Sequence, residues 1–267
     1  MNILVCVKQV PDTTEIRIDP VTKTLIRAGV PSIVNPFDAY ALELAARLKD
    51  SIGGHITILC MGPPQAEAAI RTCLAVGGDV GYLVTGREFG GSDTLATSYI
   101  LASAISSLEK KLEKKFDLIF CGKQAIDGDT GQVGPEIAEH LDYGQVTCAT
   151  DLEYTNNRLI VRRDTDEGYD RLVVQTPAVI TVTKTSYEPR LSNIRAKLAA
   201  TRATIERIGC ADLVGIDTTR IGLHGSPTRV KKTFTPELIS QCIYIEEETA
   251  SAAAAKLADM LHETKVI

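Results

Sequence analysis

Over the first 141 residues, short apolar runs alternate with stretches whose apolar positions recur every three or four residues. NILVCVK (2–8), HITILCM (55–61), GYLVT (81–85) and DLIFCG (117–122) are brief and apolar with β-branched residues, the pattern of strands buried on both faces of a parallel sheet. Between the first two, VNPFDAYALELAARLKD carries Leu42, Ala45 and Leu48 at helical spacing. Asn35 suits the cap of that helix, Pro36 its first position and Asp38 its positive end. Residues 63–77, opened by prolines and closed by Gly77, read as a helix, as do 92–110 and 132–141. Four such strand–helix units predict an α/β fold with a doubly wound, mostly parallel sheet.

The pattern then changes. Residues 146–154, 158–164, 170–176 and 178–184 read as strands, with a tight hairpin turn at Asn156-Asn157, so a β-rich extension of the sheet is expected. This gives a nucleotide-binding α/β domain over 1–189. Beyond Pro189 regularity fails: YEPRLSNIRAKLAATRATIE is basic, and 208–240 is rich in Gly, Thr, Pro and Lys. A last helix is expected over 249–263, where Ala252, Ala253, Leu257, Met260 and Leu261 form an apolar stripe. Residues 190–267 are read as a C-terminal arm that finds its core on another chain; the alternative is an arm folded back on its own domain.

Composition narrows the function classes. Of the 267 residues 44% are hydrophobic, enough for a packed core without disulfides or metal. A net charge of -5, no Trp and 5% aromatic residues argue against a nucleic-acid binder. The seven cysteines show no Cys-x-x-Cys spacing, which points to buried free thiols in a reducing compartment rather than to a metal or iron–sulfur site. The opening MNILVCVKQVPD lacks a basic leader, and no apolar run approaches the roughly 20 residues that span a bilayer, so a cytoplasmic protein without a membrane span is expected. The four histidines fall in strand and helix patterns, and no hydrolase, zincin or Walker motif occurs. Redox chemistry, if present, must be carried by a bound cofactor.

Ligands of open parallel sheets bind beyond the carboxyl ends of the strands, which directs attention to four loops. GKQAIDGDTGQVGPEIAEHL offers close backbone approach at Gly122, Gly128, Gly131 and Gly134, and a helix start near Gln132 suited to phosphate. Thr130 and Gln132 could donate to phosphate oxygens, whereas Asp127 and Asp129 would repel phosphate unless they face away; a glycine-rich turn with two Asp caps is the other reading. VNPFD (34–38) and CMGPPQ (60–65), with Met61 and Gly62, are strand-to-helix turns that capping alone explains. TGREFGGSDTLATS sets Arg87, Gly90 and Gly91 before a helix capped by Ser92 or Asp93, a possible pyrophosphate cradle. GGSDT is also similar to the phosphate loop of ATP pyrophosphatases, but that loop follows a first strand and this one a third.

VCVKQVPD, NPFDAYALE, MGPPQAE and CGKQAIDGDTGQVGPEIAEHL, with SYEPRLSNIRAKLAA later, resemble in order and spacing the electron-transfer flavoprotein beta subunit, over nearly the whole chain. The resemblance implies a heterodimer with an alpha subunit, around which the arm wraps. The common type holds AMP in the beta subunit and its single FAD mainly in the alpha subunit; the electron-bifurcating type holds a second FAD in the AMP site. Gly128 between Asp127 and Asp129, and the stretch REFGGSDTLATS, resemble the bifurcating type. The family's nucleotide site maps to Cys6, Asn35, Pro36, Phe37, Asp38 and Met61, and to Ala125, Ile126, Asp127, Gly128, Asp129, Thr130, Gly131, Gln132, Val133 and Gly134. NADH contacts map to the Arg87–Thr97 stretch, including Gly90, Gly91, Asp93, Thr94 and Thr97. The resemblance further implies hydride transfer from NADH, electrons sent to ferredoxin and to the alpha-subunit FAD, and a flavin dehydrogenase partner met through a segment at 187–200. A plain electron carrier holding AMP and a free-standing nucleotide sensor are the competing readings.

Overall fold

The computed structural model describes residues 1–12, 31–156, 158–231 and 242–266. They fall into two units, the second comprising 242–266. In the larger unit the apolar runs become β1 (Asn2–Val7), β4 (His55–Met61), β5 (Val80–Val84), β6 (Leu118–Gly122) and β10 (Ala178–Val182). The amphipathic stretches become α1 (Pro36–Ile52), α2 (Glu67–Leu74), α3 (Thr94–Leu112) and α4 (Val133–Leu141). The β-rich extension is β7 (Gly144–Thr155), β8 (Arg158–Thr165) and β9 (Gly168–Val174). Two short strands, β2 (Gln9–Pro11) and β3 (Ser32–Val34), pair antiparallel apart from the main sheet.

The main sheet has the order β11-β5-β4-β1-β6-β10-β7-β8-β9, where β11 is Ile205–Ile208. Neighbours from β11 to β7 are parallel, and β8 and β9 add on antiparallel. From β1 the chain builds outward through β4 and β5, then returns to lay β6 on the other side. The carboxyl ends of β1 and β6 therefore flank a topological switch point, where adjacent loops diverge and leave a crevice.

Alternation along β1 sorts its side chains between two cores. Ile3, Val5 and Val7 pack with α1 and α2; Leu4 and Cys6 face α3 and α4 with Phe116, Ile119 and Cys121. All seven cysteines are free thiols, and Cys6, Cys60, Cys73 and Cys121 are buried.

Residues 190–231, read from sequence as the start of an arm, belong to the larger unit. The Arg190 guanidinium donates to Glu43 at 2.8 Å and to Asp50 at 3.0 Å, both on α1. Helix α5 (Ile194–Arg202) has its last carbonyls capped by Arg71 of α2, which donates to Ala200 at 2.7 Å and Thr201 at 2.8 Å. Strand β11 then pairs with β5. The second unit carries α6 (Ala250–Glu263), capped by the Thr249 hydroxyl, where the last helix is expected. Asn157 and residues 232–241 lie outside the described residues. Among the described residues no helix is long and apolar enough to cross a membrane.

Phe116 is fully buried, whereas Val173 on edge strand β9 is 59% exposed. Phe116→Ala should cost about 3–5 kcal/mol and Val173→Thr less than about 0.5 kcal/mol in denaturant unfolding. Equal losses would contradict this assignment of the core.

Candidate functional site

A cleft of about 350 Å³ opens at the switch point. Its floor is the ends of β1 and β6, with Cys6 and Cys121, and apolar walls come from Leu59, Met61 and Leu101. The start of α3 and the Gln124–Gly134 loop form its other sides.

The loops around it are fastened by one buried pair. Asn35 is 0% and Asp38 6% exposed. Asp38 Oδ2 accepts the Lys8 N–H at 2.7 Å, just past β1. Its Oδ1 accepts the Gly122 N–H at 3.1 Å, at the end of β6, and the Asn35 amide at 3.0 Å. That amide also donates to the Gln124 carbonyl at 2.8 Å, and Asn35 Oδ1 accepts the Ile126 N–H at 3.1 Å. Asn35 thus stands at the cap position of α1 but makes no side-chain cap bond; its amide holds the far loop instead. Gly122 is required here, since a Cβ would lie 2.3 Å from Asp38 Oδ1.

The two carboxylates that would repel a phosphate are tied elsewhere. Asp127 pairs with the Lys8 ammonium at 2.6 Å, and Asp129 accepts the Gln124 amide at 2.7 Å. Neither lines the cleft. Between them, a Cβ on Gly128 would meet nothing within 4 Å. At the start of α4, Gln132 makes no side-chain cap bond. The first-turn amides of Val133 and Gly134 thus lie uncapped where these residues line the cleft, with Lys123 beside them. Free amides, the positive end of a helix and a cation make an anion site. The apolar wall opposite suits a planar base, so an adenine nucleotide fits this donor set.

The start of α3 is built differently. Asp93 caps its helix by accepting the Ala96 N–H at 3.1 Å. Its other oxygen accepts the N–H and hydroxyl of Thr228 at 3.0 and 2.8 Å. Burial pushes this carboxyl up, but the donors from Ala96 and Thr228 outweigh it and hold Asp93 below the usual range. A capped, anionic helix end does not invite phosphate.

The structure therefore gathers part of the residue set expected from sequence. Cys6, Asp38, Met61, Gly122, Ala125 and Gly128 line the cleft, as do Thr130, Gly131, Gln132, Val133 and Gly134. From the Arg87–Thr97 stretch, Asp93, Thr94 and Thr97 line it. Arg87, Gly90 and Gly91 do not; Gly91 is backed by Leu223, 3.2 Å from where its Cβ would be. Asn35, Pro36, Phe37, Gly62, Ile126, Asp127 and Asp129 also stand outside the lining. Ser92, within the Arg87–Thr97 stretch, lines the cleft too, and Val7, Lys8, Leu59, Leu101, Cys121, Lys123 and Gln124 join the lining unforeseen. Position at or just past the carboxyl end of a buried strand was the available signal for Lys8 and Cys121.

No acid–base pair is assembled. The Cys6 thiol is hydrogen-bonded to Cys121 and buried, which raises it well above the usual thiol range, so it is not a nucleophile. No histidine lines the cleft. His140 packs edge-on against Tyr99, with ring centroids 5.7 Å apart, and burial holds it below the usual imidazole range.

The chain is similar to known proteins over nearly its whole length. The family described as "Electron transfer flavoprotein domain" matches residues 22–213. The electron transfer flavoprotein subunit beta of Clostridium acetobutylicum is 46% identical, over 98% of this chain and 99% of its own. The subunit of the same name from Megasphaera elsdenii is 48% identical over the full length of both. The caffeyl-CoA reductase-Etf complex subunit CarD of Acetobacterium woodii is 42% identical, again over both full lengths.

Asp38 gives the latch a pH dependence. Burial raises its carboxyl to about 7, against the pull of Asn35, Lys8 and Gly122. The folded state then holds the proton more tightly than the unfolded chain. The stability this contributes is complete below about pH 4 and is lost as pH rises through about 7. Asp38→Asn should remove that slope and lower stability by about 1–3 kcal/mol, because its NH₂ would face an N–H donor. Denaturant unfolding across this pH range checks it; an unchanged slope in the variant contradicts it.

Proposed function

The chain belongs to the electron transfer flavoprotein family, as a beta subunit, and we propose from that premise that its cleft holds the adenylate and pyrophosphate of an FAD. The observation that carries this reading is the switch-point loop: both of its carboxylates are tied back, to Lys8 and Gln124, while the amides of Val133 and Gly134 and the open space at Gly128 remain for a diphosphate. Removing negative charge from a diphosphate's neighbourhood favours its binding through simple Coulomb attraction to the helix end and Lys123.

An FAD held there would supply the redox chemistry, namely acceptance of a hydride from NADH and delivery of single electrons to ferredoxin and, through the alpha-subunit FAD, to a partner dehydrogenase. The chain's own residues hold, orient and exclude. Gln132, Val133 and Gly134 hold phosphate oxygens; Leu59, Met61 and Leu101 cover the base and keep water away; Ser92, Asp93, Thr94 and Thr97 meet the NADH side. The one carboxyl of the cleft raised toward neutrality, Asp38, is taken up by Lys8, Gly122 and Asn35. The chain works in the cytoplasm as a heterodimer with the alpha subunit, on which residues 242–266 pack. CarD, named as a subunit of a caffeyl-CoA reductase complex, supports a dehydrogenase acting on a CoA ester as the partner.

The test is a cofactor count on the heterodimer purified with its alpha subunit. Denaturation should release two FAD and no AMP, and NADH alone should bleach the flavin. One FAD with one AMP would overturn the reading and leave the chain a structural nucleotide holder in an ordinary electron carrier.

A further inference from the structure

The segment 221–228 closes over the outer side of the loop whose inner side lines the cleft. Its Gly222 has φ +61, and a Cβ there would lie 2.1 Å from the Glu88 carbonyl oxygen. Backbone meets backbone at that point, and glycine alone permits it. The Gly222 N–H donates to the Ser92 hydroxyl at 3.1 Å. Ser226, 6% exposed, accepts the Asp93 N–H at 2.8 Å and donates to the Gly222 carbonyl at 2.7 Å. Thr228 donates twice to Asp93 Oδ2.

Ser92 and Asp93 are thus shared between the cleft and this strap. Asp93 accepts one helix amide and two donors from Thr228, so its side chain has no freedom to turn toward a ligand unless the strap leaves. Opening the strap would free Asp93 Oδ2 at the cleft wall and take the Gly222 donor from the Ser92 hydroxyl, while the Ala96 cap and the Ser92 bond to the Phe89 carbonyl would stay.

We propose that Thr228 and Ser226 are positioning residues for nucleotide binding: they fix Asp93 and the start of α3 from outside the cleft, so that the strap is closed while nucleotide is held. The proposal rests on the cleft being the nucleotide site, and holds whichever adenine nucleotide fills it.

The test uses the intact heterodimer and three variants, T228V, T228S and S226A. Thr228 is exposed, so neither replacement burdens the core. Two quantities are read: hydrogen exchange at the Gly222 amide, and the rate at which the bound nucleotide is released, identified as FAD or AMP by chromatography. T228V should speed both about tenfold, the scale set by one hydrogen bond to a charged acceptor. T228S, which keeps the hydroxyl, should restore both, and S226A should repeat the T228V result from the buried side. Faster exchange with unchanged nucleotide release would make the strap merely structural and overturn the proposal. So would no change in either quantity. Recovery of AMP in place of the second FAD would refute the FAD reading while leaving the ratio between variant and wild type a valid test here.

Discussion

A carboxylate buried at the carboxyl ends of two parallel strands organises this protein. Strands β1 and β6 are adjacent, yet their following loops leave in different directions, and nothing in the sheet's own hydrogen bonding holds those loops together. Asp38 does so by accepting from Lys8 and Gly122, one N–H from each strand end. Asn35 extends the same network to Gln124 and Ile126 in the loop that forms the far wall. Lys8 and the stretch from Gly122 to Ile126 thus meet at two side chains at the start of α1. A buried donor or acceptor left without its partner costs about 1–3 kcal/mol, so the network is held nearly all-or-none, and the cleft is shaped before any ligand arrives.

Electrostatics then follow from where the remaining charges are tied. Lys8 is fixed by its amide to Asp38 and by its ammonium to Asp127. That pairing turns a carboxylate away from the cleft and leaves the α4 helix end as its positive feature. The same helix α1 that carries the latch also carries Glu43 and Asp50, which clamp Arg190. The cleft wall and the segment following Pro189 are therefore framed by a single element, α1.

Much of this was legible in the chain. Runs such as LVCV and LIFC are apolar on both faces because helices cover both faces, and that pattern needs no long-range knowledge. The glycine-rich loop after β6 announced close backbone approach, and Gly122 and Gly134 line the cleft. Other features were illegible for physical reasons. Strand β11, IERI, has exposed Glu206 and Arg207 at the sheet's edge and gives no buried run. Asn35 and Asp38 read as capping residues because their bonds to Gln124 and Gly122 span more than 80 positions. Ser226 and Thr228 sit in a Gly- and Pro-rich stretch, and only the fold brings them to Asp93, about 135 positions away.

The measurement that bears most directly on the latch is nucleotide affinity in Asn35→Ala, made in the complete heterodimer alongside its circular dichroism. Asn35 lies outside the cleft lining, so its effect on the cleft runs through the Gln124–Ile126 loop. Removing its amide should loosen the Gln124–Ile126 loop and weaken nucleotide binding at least about tenfold, with helix content unchanged. A variant that binds its nucleotide as tightly as the wild type would show that the cleft is held by something other than the Asn35–Asp38 pair.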